Sequence, residues 1–159
     1  MRRLAPALAL YFLAPLVAEF LLGDFSIVSV PLIVVLAPMY GGGALLVREI
    51  TRRAGRGWPT IAVLALAFGV FEEALLTQSL FNPNYVDAHL LDKGFVPALG
   101  ISLSWTVFVL GLHTVWSIST PIALVEESAR GPRTAPWLRT FGLLVTALLF
   151  VAGDRKSVV

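Results

Sequence analysis

The sequence contains no cysteine and few charged residues. The absence of cysteine from all 159 residues excludes disulfide bonds, thiol catalysis and cysteine-ligated metal sites, so any metal site must use histidine and carboxylates. Charged side chains make up 14% of the chain, against about 25% in an average soluble domain, while hydrophobic residues reach 57%. With a mean hydropathy of +0.83, this composition indicates an integral membrane protein in a lipid bilayer.

Features of a nucleic-acid or nucleotide binder are also missing. The net charge of +2 comes from arginines at the ends of apolar runs, where membrane topology explains them, and there is no basic stripe. The run Gly41-Gly42-Gly43 lacks the Lys-Ser/Thr ending that a phosphate-binding loop needs. We therefore expect no nucleic-acid partner.

The apolar runs predict an all-α, polytopic transmembrane helical bundle. We expect four full spans at about residues 4–22, 27–53, 60–80 and 96–125, and a partial fifth span at 138–153. An uncleaved first helix is favoured over a signal peptide, because the run is long and lacks an Ala-x-Ala cleavage pattern. Residues 154–159 resemble the translation of a sequencing adapter, so we expect a non-native tail and a natural chain that continues past Gly153.

The basic residues predict the orientation of the bundle. An inside N-terminus leaves Lys93 alone outside and places nine arginines in the cytoplasm, namely Arg2, Arg3, Arg48, Arg52, Arg53, Arg56, Arg130, Arg133 and Arg139. Arg48 and Arg52 share a helix face with Glu49 close by, and we expect a solvated helix end facing lipid headgroups. A composition rich in Ala, Leu, Gly, Val and Arg is typical of a high-GC bacterium, which gives an inner-membrane location.

Two adjacent carboxylates, Glu72 and Glu73, interrupt the apolar third segment. A charge at the bilayer centre costs on the order of 3 kcal/mol, so such residues normally face a bundle interior and mark a functional site. The pair lies about 13 residues, or roughly 20 Å, from the start of its segment, near the middle of the membrane. Consecutive helical positions differ by about 100°, so helices must pack on two sides of this segment.

A polar stripe on the fourth segment is the second signal. His113 lies at its middle, at a depth of about 15 Å that brings it to the level of the glutamates. We predict that His113, Glu72 and Glu73 share a site, whereas packing between helices is the alternative explanation for the hydroxyl groups. The predicted polar lining consists of Gln78, Ser102, Thr106, Ser117 and Thr120.

Three further features have two interpretations each. Glu19 either reaches the membrane interface or takes part in the site. The stretch from Pro38 to Gly43 predicts a kink or break at membrane depth, or else glycines that let two helices pack closely.

In the longest predicted loop, a metal site or a solvated segment would account for the three side chains Asp87, His89 and Asp92. We favour the solvated segment, because nothing in their spacing fixes a coordination geometry.

The order of the polar residues resembles the CPBP family of membrane proteins, the CAAX-protease and bacteriocin-processing group. That family's pattern is Glu-Glu-x-x-x-Arg, then Phe-x-x-x-His, then a later His with Asn or Asp. Here Glu72 and Glu73 match the first element and His113 the second, whereas Thr77 stands in place of Arg and Val109 in place of Phe. The likeness covers about residues 68–117.

The resemblance implies hydrolysis of a membrane-embedded peptide by a glutamate-activated water. Glu72, Glu73 and His113 would be the catalytic residues, with a divalent metal as a candidate cofactor and His113 as its candidate ligand. Two other classes fit the same residues. One is a proton- or cation-coupled transporter, whose site lies near the midplane on discontinuous helices, and the other is a non-catalytic membrane scaffold.

Overall fold

The computed structural model describes residues 4–130, 132 and 134–154 and consists of five helices with one short hairpin. Arg2, Arg3 and Arg133 of the predicted topology, and residues 155–159 of the predicted tail, lie outside the described residues. The helices are α1 (Leu4–Phe20), α2 (Ile27–Arg53), α3 (Trp58–Leu76), α4 (Leu103–Ser128) and α5 (Thr140–Asp154). The predicted all-α bundle is confirmed, and α1, α2, α3 and α4 meet around a common apolar core.

The number of full spans differs from the prediction. Among the described residues, three helices are long and apolar enough to cross a bilayer, α2, α3 and α4, while α1 and α5 are shorter apolar helices. Helix α1 ends at Phe20 because the chain turns there, and Gly23 adopts a φ of +101°, which favours glycine. The four full spans that the apolar runs predict are therefore not confirmed.

A β-hairpin delays the start of α4. Strands β1 (Phe95–Val96) and β2 (Ile101–Ser102) pair antiparallel, with Phe95 opposite Ser102. The Ser102 hydroxyl then accepts the backbone N–H of Trp105 at 3.1 Å and caps the helix. The helix consequently begins at Leu103 instead of near residue 96.

Four of the five helices contain a π-helical segment. These wide turns lie at Leu16–Phe20, Ala37–Gly41, Glu72–Leu76 and His113–Ser119. In α2 the residues on either side of the turn, Leu36 and Gly42, keep right-handed helical angles. Helix α2 is thus continuous, so a break near Pro38 is excluded, and the irregularity predicted there is a π turn that accommodates the proline.

Glycines set the close spacing of the helices. A Cβ atom on Gly41 would overlap the carbonyl oxygen of Tyr11 in α1, and one on Gly43 would come within 2.5 Å of the Phe68 ring in α3. These glycines therefore allow α1 and α3 to lie close to α2. This agrees with the interpretation that glycines in this stretch let helices pack closely.

A buried ionic cluster lies at the Arg53 end of α2. Arg48 and Glu49 are 0% exposed, and the Arg48 guanidinium donates to Glu49 at 2.6 Å and to Glu126 of α4 at 3.0 Å. Arg52 donates to the other oxygen of Glu126 at 2.6 Å. The prediction of a solvated, headgroup-facing helix end is wrong for Arg48, Glu49 and Arg52, because α4 brings a carboxylate against this face.

The same cluster fastens the connection between α4 and α5. The Glu49 carboxylate accepts the backbone N–H groups of Trp137 at 2.9 Å and Leu138 at 3.1 Å. The Arg48 guanidinium lies 3.4 Å from the centre of the Trp137 ring and donates to the Ala135 carbonyl at 3.0 Å. These contacts fix the start of α5 against α2.

Replacing Glu126 with Ala should destabilise the bundle by about 3–5 kcal/mol, because Arg52 would stay buried without a carboxylate and Arg48 would keep only Glu49. Glu127→Ala, at the exposed neighbouring position, should cost less than about 1 kcal/mol and serves as the matched control. The free energy of unfolding in detergent micelles checks both, and equal losses would contradict the structural role of Glu126.

Gly41→Ala should cost about 1–3 kcal/mol, because its new methyl group meets the α1 backbone, which cannot yield as a flexible side chain does. Gly111→Ala is the control, since nothing lies within 4 Å of its added carbon, and it should be neutral or stabilising by up to about 1 kcal/mol. Thermal unfolding of both variants measures the difference. A Gly41→Ala protein as stable as the control would refute the close α1–α2 contact.

Candidate functional site

The structure brings Glu72, Glu73 and His113 together. The Nε2 atom of His113 lies 2.8 Å from Oε1 of Glu73, and its Nδ1 atom lies 3.1 Å from Oε2 of Glu72. The three residues are 3%, 6% and 6% exposed, so the site is closed to solvent. A single imidazole thus lies between two carboxylates, with one ring nitrogen facing each.

The π segments explain how adjacent carboxylates reach one ring. Glu72 and Glu73 open the π segment of α3, and His113 opens that of α4. A π turn holds more residues than an α turn, so neighbouring side chains diverge by less than about 100°. Gly69 lies one turn earlier, where an added Cβ would come within 2.9 Å of the His113 Cβ, so glycine lets the two helices meet here.

Both oxygens of Glu73 have partners. Since a carboxylate only accepts, the His113 ring donates to Oε1, while Ser79 and Thr77 donate to Oε2, Thr77 at 3.1 Å. The Trp105 indole of α4 donates to the Ser79 hydroxyl at 3.0 Å. Gln78 adopts a φ of +55°, a strained conformation for a side-chain-bearing residue, at the turn that folds Ser79 back onto the carboxylate.

Glu72 has one oxygen without a hydrogen bond. Tyr40 of α2 donates to Oε1 at 2.7 Å, and its ring stacks on that of His113 with centroids 6.3 Å apart. The buried Oε2 of Glu72 and Nδ1 of His113 face each other at 3.1 Å but lack hydrogen-bond geometry, and neither has another partner. This pair of atoms is the chemically available part of the site.

A third carboxylate and a second phenol border the site. Glu19, in the π segment of α1, lies within interaction range of the Tyr40 hydroxyl and of the charges on His113 and Glu73. This position favours the interpretation that Glu19 takes part in the site. In the loop after α3, burial raises the pKa of Tyr85, and the negative charge of Glu73 adds to that rise.

Three hydroxyls of the predicted polar lining bond to nearby backbone groups and not to the carboxylates. The hydroxyls of Thr106 and Thr120 donate to backbone carbonyls of Ser102 and Val115, at 2.7 and 2.8 Å, and Ser102 caps α4. Gln78 is exposed, and Ser117 is buried on α4. The hydroxyls of Ser102, Thr106 and Thr120 therefore satisfy local backbone groups, as the packing alternative expects.

Sequence reasoning did not assign Tyr40, Ser79 or Trp105 to the site. Tyr40 lies inside the irregular stretch from Pro38 to Gly43. This stretch could have pointed to Tyr40, because irregular backbone at membrane depth is found where it is buried in protein or lines a cavity. Helical spacing places Ser79 on the side of Glu72, but its hydrogen bond to Glu73 depends on the turn of the chain after α3. No sequence feature distinguishes Trp105 as a neighbour of the site.

The loop residues Asp87, His89 and Asp92 do not form a metal site. All three are exposed, and the closest approach of His89 to Asp92 is 4.0 Å. Within the part of the chain that the structure describes, one group of metal-capable side chains has ligand atoms within 4.8 Å of one another, and it consists of Glu72, Glu73 and His113.

His113→Asn should destabilise the protein by about 3–5 kcal/mol at neutral pH, because two adjacent carboxylates would remain buried without their shared partner. Adding Glu73→Gln to this variant removes one charge and should restore part of the loss. Unfolding of the two single variants and the double variant gives the coupling energy. A coupling of zero would mean that the His113 ring and Glu73 do not interact.

Comparison with known proteins places the chain in a family. A family model described as an uncharacterized membrane protein family matches residues 8–156. No curated protein and no solved structure matches the chain. The family match agrees with the apolar helices, and since it extends over nearly the whole sequence, the chain belongs to this uncharacterized membrane protein family.

Proposed function

We propose that this protein is a membrane-embedded hydrolase in which Glu72 activates a water molecule. The observation that carries the proposal is the pair formed by Glu72 Oε2 and His113 Nδ1, two buried polar atoms without hydrogen bonds. Burying polar atoms in apolar surroundings costs free energy. Buried polar atoms without hydrogen bonds are therefore expected where a reactant binds. A water molecule held by both atoms would satisfy them.

The reaction follows from the roles of these two side chains. Glu72 takes a proton from the water, and the resulting hydroxide attacks the carbonyl carbon of the substrate. The tetrahedral intermediate then collapses as the carbon–nitrogen bond breaks, and Glu72 returns the proton to the departing amine. The Nδ1 atom of His113 accepts the second hydrogen of the water molecule and so orients it for the attack.

Glu73 is the positioning residue in this proposal. Both of its oxygens are occupied, by His113 on one side and by Ser79 and Thr77 on the other, so it has no free oxygen for a water molecule. Glu73 accepts a hydrogen bond from the Nε2–H group of His113. The Nδ1 atom is therefore unprotonated and is the acceptor that faces Glu72.

The substrate we propose is a peptide within the bilayer, as the resemblance to the CPBP pattern implies. Because the site is buried among helices, a substrate would enter from the membrane or beneath the loop that follows α3. We also propose an inner-membrane location with the N-terminus in the cytoplasm. Its support is the set of exposed arginines at one end of the bundle, Arg53, Arg56, Arg130 and Arg139.

A proton- or cation-coupled transporter is less well supported. Transporter sites are typically built on discontinuous helices, whereas α2 is continuous through its π segment. A scaffold would not require Glu72 and His113 to leave buried atoms without partners.

Glu72→Gln should lower hydrolysis by at least about 10²-fold, because general-base catalysis contributes typically 10²–10⁴-fold. The measurement is a comparison of new peptide N-termini in membranes from cells that express the wild type or the variant. The Glu73→Gln variant should retain more activity than Glu72→Gln, because Glu73 contributes to the reaction only by orienting His113.

Asp92→Asn, an exposed loop substitution, is the matched control and should cleave like the wild type. Equal cleavage by the wild type, Glu72→Gln and His113→Ala would overturn the hydrolase proposal. Proton flux into liposomes that depends on Glu72 would then favour the transporter.

A further inference from the structure

The atoms Glu72 Oε2 and His113 Nδ1 have the spacing of two ligands on one metal ion. Zinc bonds to nitrogen and to carboxylate oxygen are about 2.0–2.2 Å long, so two ligands at a tetrahedral angle lie about 3.4 Å apart. The observed separation is 3.1 Å. Both side chains are more than nine-tenths buried, and neither atom makes a hydrogen bond.

The neighbours of this pair match the outer shell of a metal site. A metal-binding histidine almost always donates its other ring N–H to a carboxylate or carbonyl, and ligating carboxylates are themselves hydrogen-bonded. Here the Nε2 atom of His113 donates to Glu73 at 2.8 Å, and Tyr40 donates to the second oxygen of Glu72 at 2.7 Å. Ser79 in turn holds Glu73 in place.

The charge at the site also favours a cation. Three carboxylates, Glu19, Glu72 and Glu73, lie around one imidazole and interact with it. Several uncompensated negative charges are expensive in a buried, apolar environment, and a divalent ion would balance them. Since the chain has no cysteine, the available donors are nitrogen and oxygen, which suit zinc and its neighbours in the transition series.

We propose that Glu72 and His113 bind a zinc-class divalent ion between Oε2 and Nδ1, with Glu73 orienting the imidazole. Among the described residues, Glu72, Glu73 and His113 are the metal-capable side chains with ligand atoms within 4.8 Å of one another, so the positions of the ion beyond Oε2 and Nδ1 would be open to water. The inference rests on the site of the proposed hydrolase and deepens it. With an ion on Oε2 and Nδ1, the ion would hold and polarise the attacking water, and Glu72 would be its ligand instead of contacting the water directly. Metal binding and hydrolysis can nevertheless fail separately.

The test is zinc binding by purified, untagged full-length protein in detergent. After chelator treatment and incubation with zinc alone, the wild type should retain one zinc ion per chain. Glu72→Gln and His113→Ala should lose it, and Glu73→Gln should bind about 10–100-fold more weakly, as outer-shell substitutions do. His89→Ala removes the exposed loop histidine and should bind like the wild type.

Thermal unfolding of each variant identifies any that fail to fold. For that case, X-ray absorption of the zinc-loaded wild type gives a second readout, which should show one imidazole with oxygen ligands. A wild-type protein without stoichiometric zinc, or with zinc that lacks an imidazole ligand, would overturn the inference. Hydrolysis that persists in the metal-free protein would leave zinc binding standing, but it would overturn the role of the ion in the reaction and support the Glu72 base mechanism.

Discussion

The contact of the His113 imidazole with two carboxylates is the interaction around which the interior of the bundle is arranged. Two adjacent carboxylates are costly in a buried, apolar environment, and one imidazole lies within 3.1 Å of both Glu72 and Glu73. Because each ring nitrogen faces a different carboxylate, α3 and α4 must approach closely. Gly69 makes that approach possible. The spacing of these two helices therefore follows from the chemistry of the site.

The π segments are the means by which four helices contribute to one site. Glu19, Tyr40, the glutamate pair and His113 all lie in such segments, on α1, α2, α3 and α4 respectively. π turns are rare and occur frequently at functional sites. The coincidence of all four segments with polar residues indicates that the helices are distorted in order to build the site.

A second buried polar group, the ionic cluster of Arg48, Glu49, Arg52 and Glu126, has a different character. Its charges are matched by one another and by backbone groups of the following loop, whereas the site at His113 leaves two atoms unmatched. Satisfied networks hold structure together, and incompletely satisfied ones are where a ligand or reactant is expected. This contrast separates the part of the molecule that fastens α5 from the part that offers chemistry.

The sequence by itself determined the membrane class, the five apolar segments and the similar depth of Glu72, Glu73 and His113, because composition and helical rise are local properties. Only the tertiary structure decided that Tyr40, Ser79 and Trp105 surround the carboxylates, and that Arg48 is buried instead of solvated. Those outcomes depend on which helix faces which. The relative orientation of the helices arises from packing at glycines and from π segments that shift the direction of side chains. Neither feature has a local sequence pattern as regular as that of an α-helix.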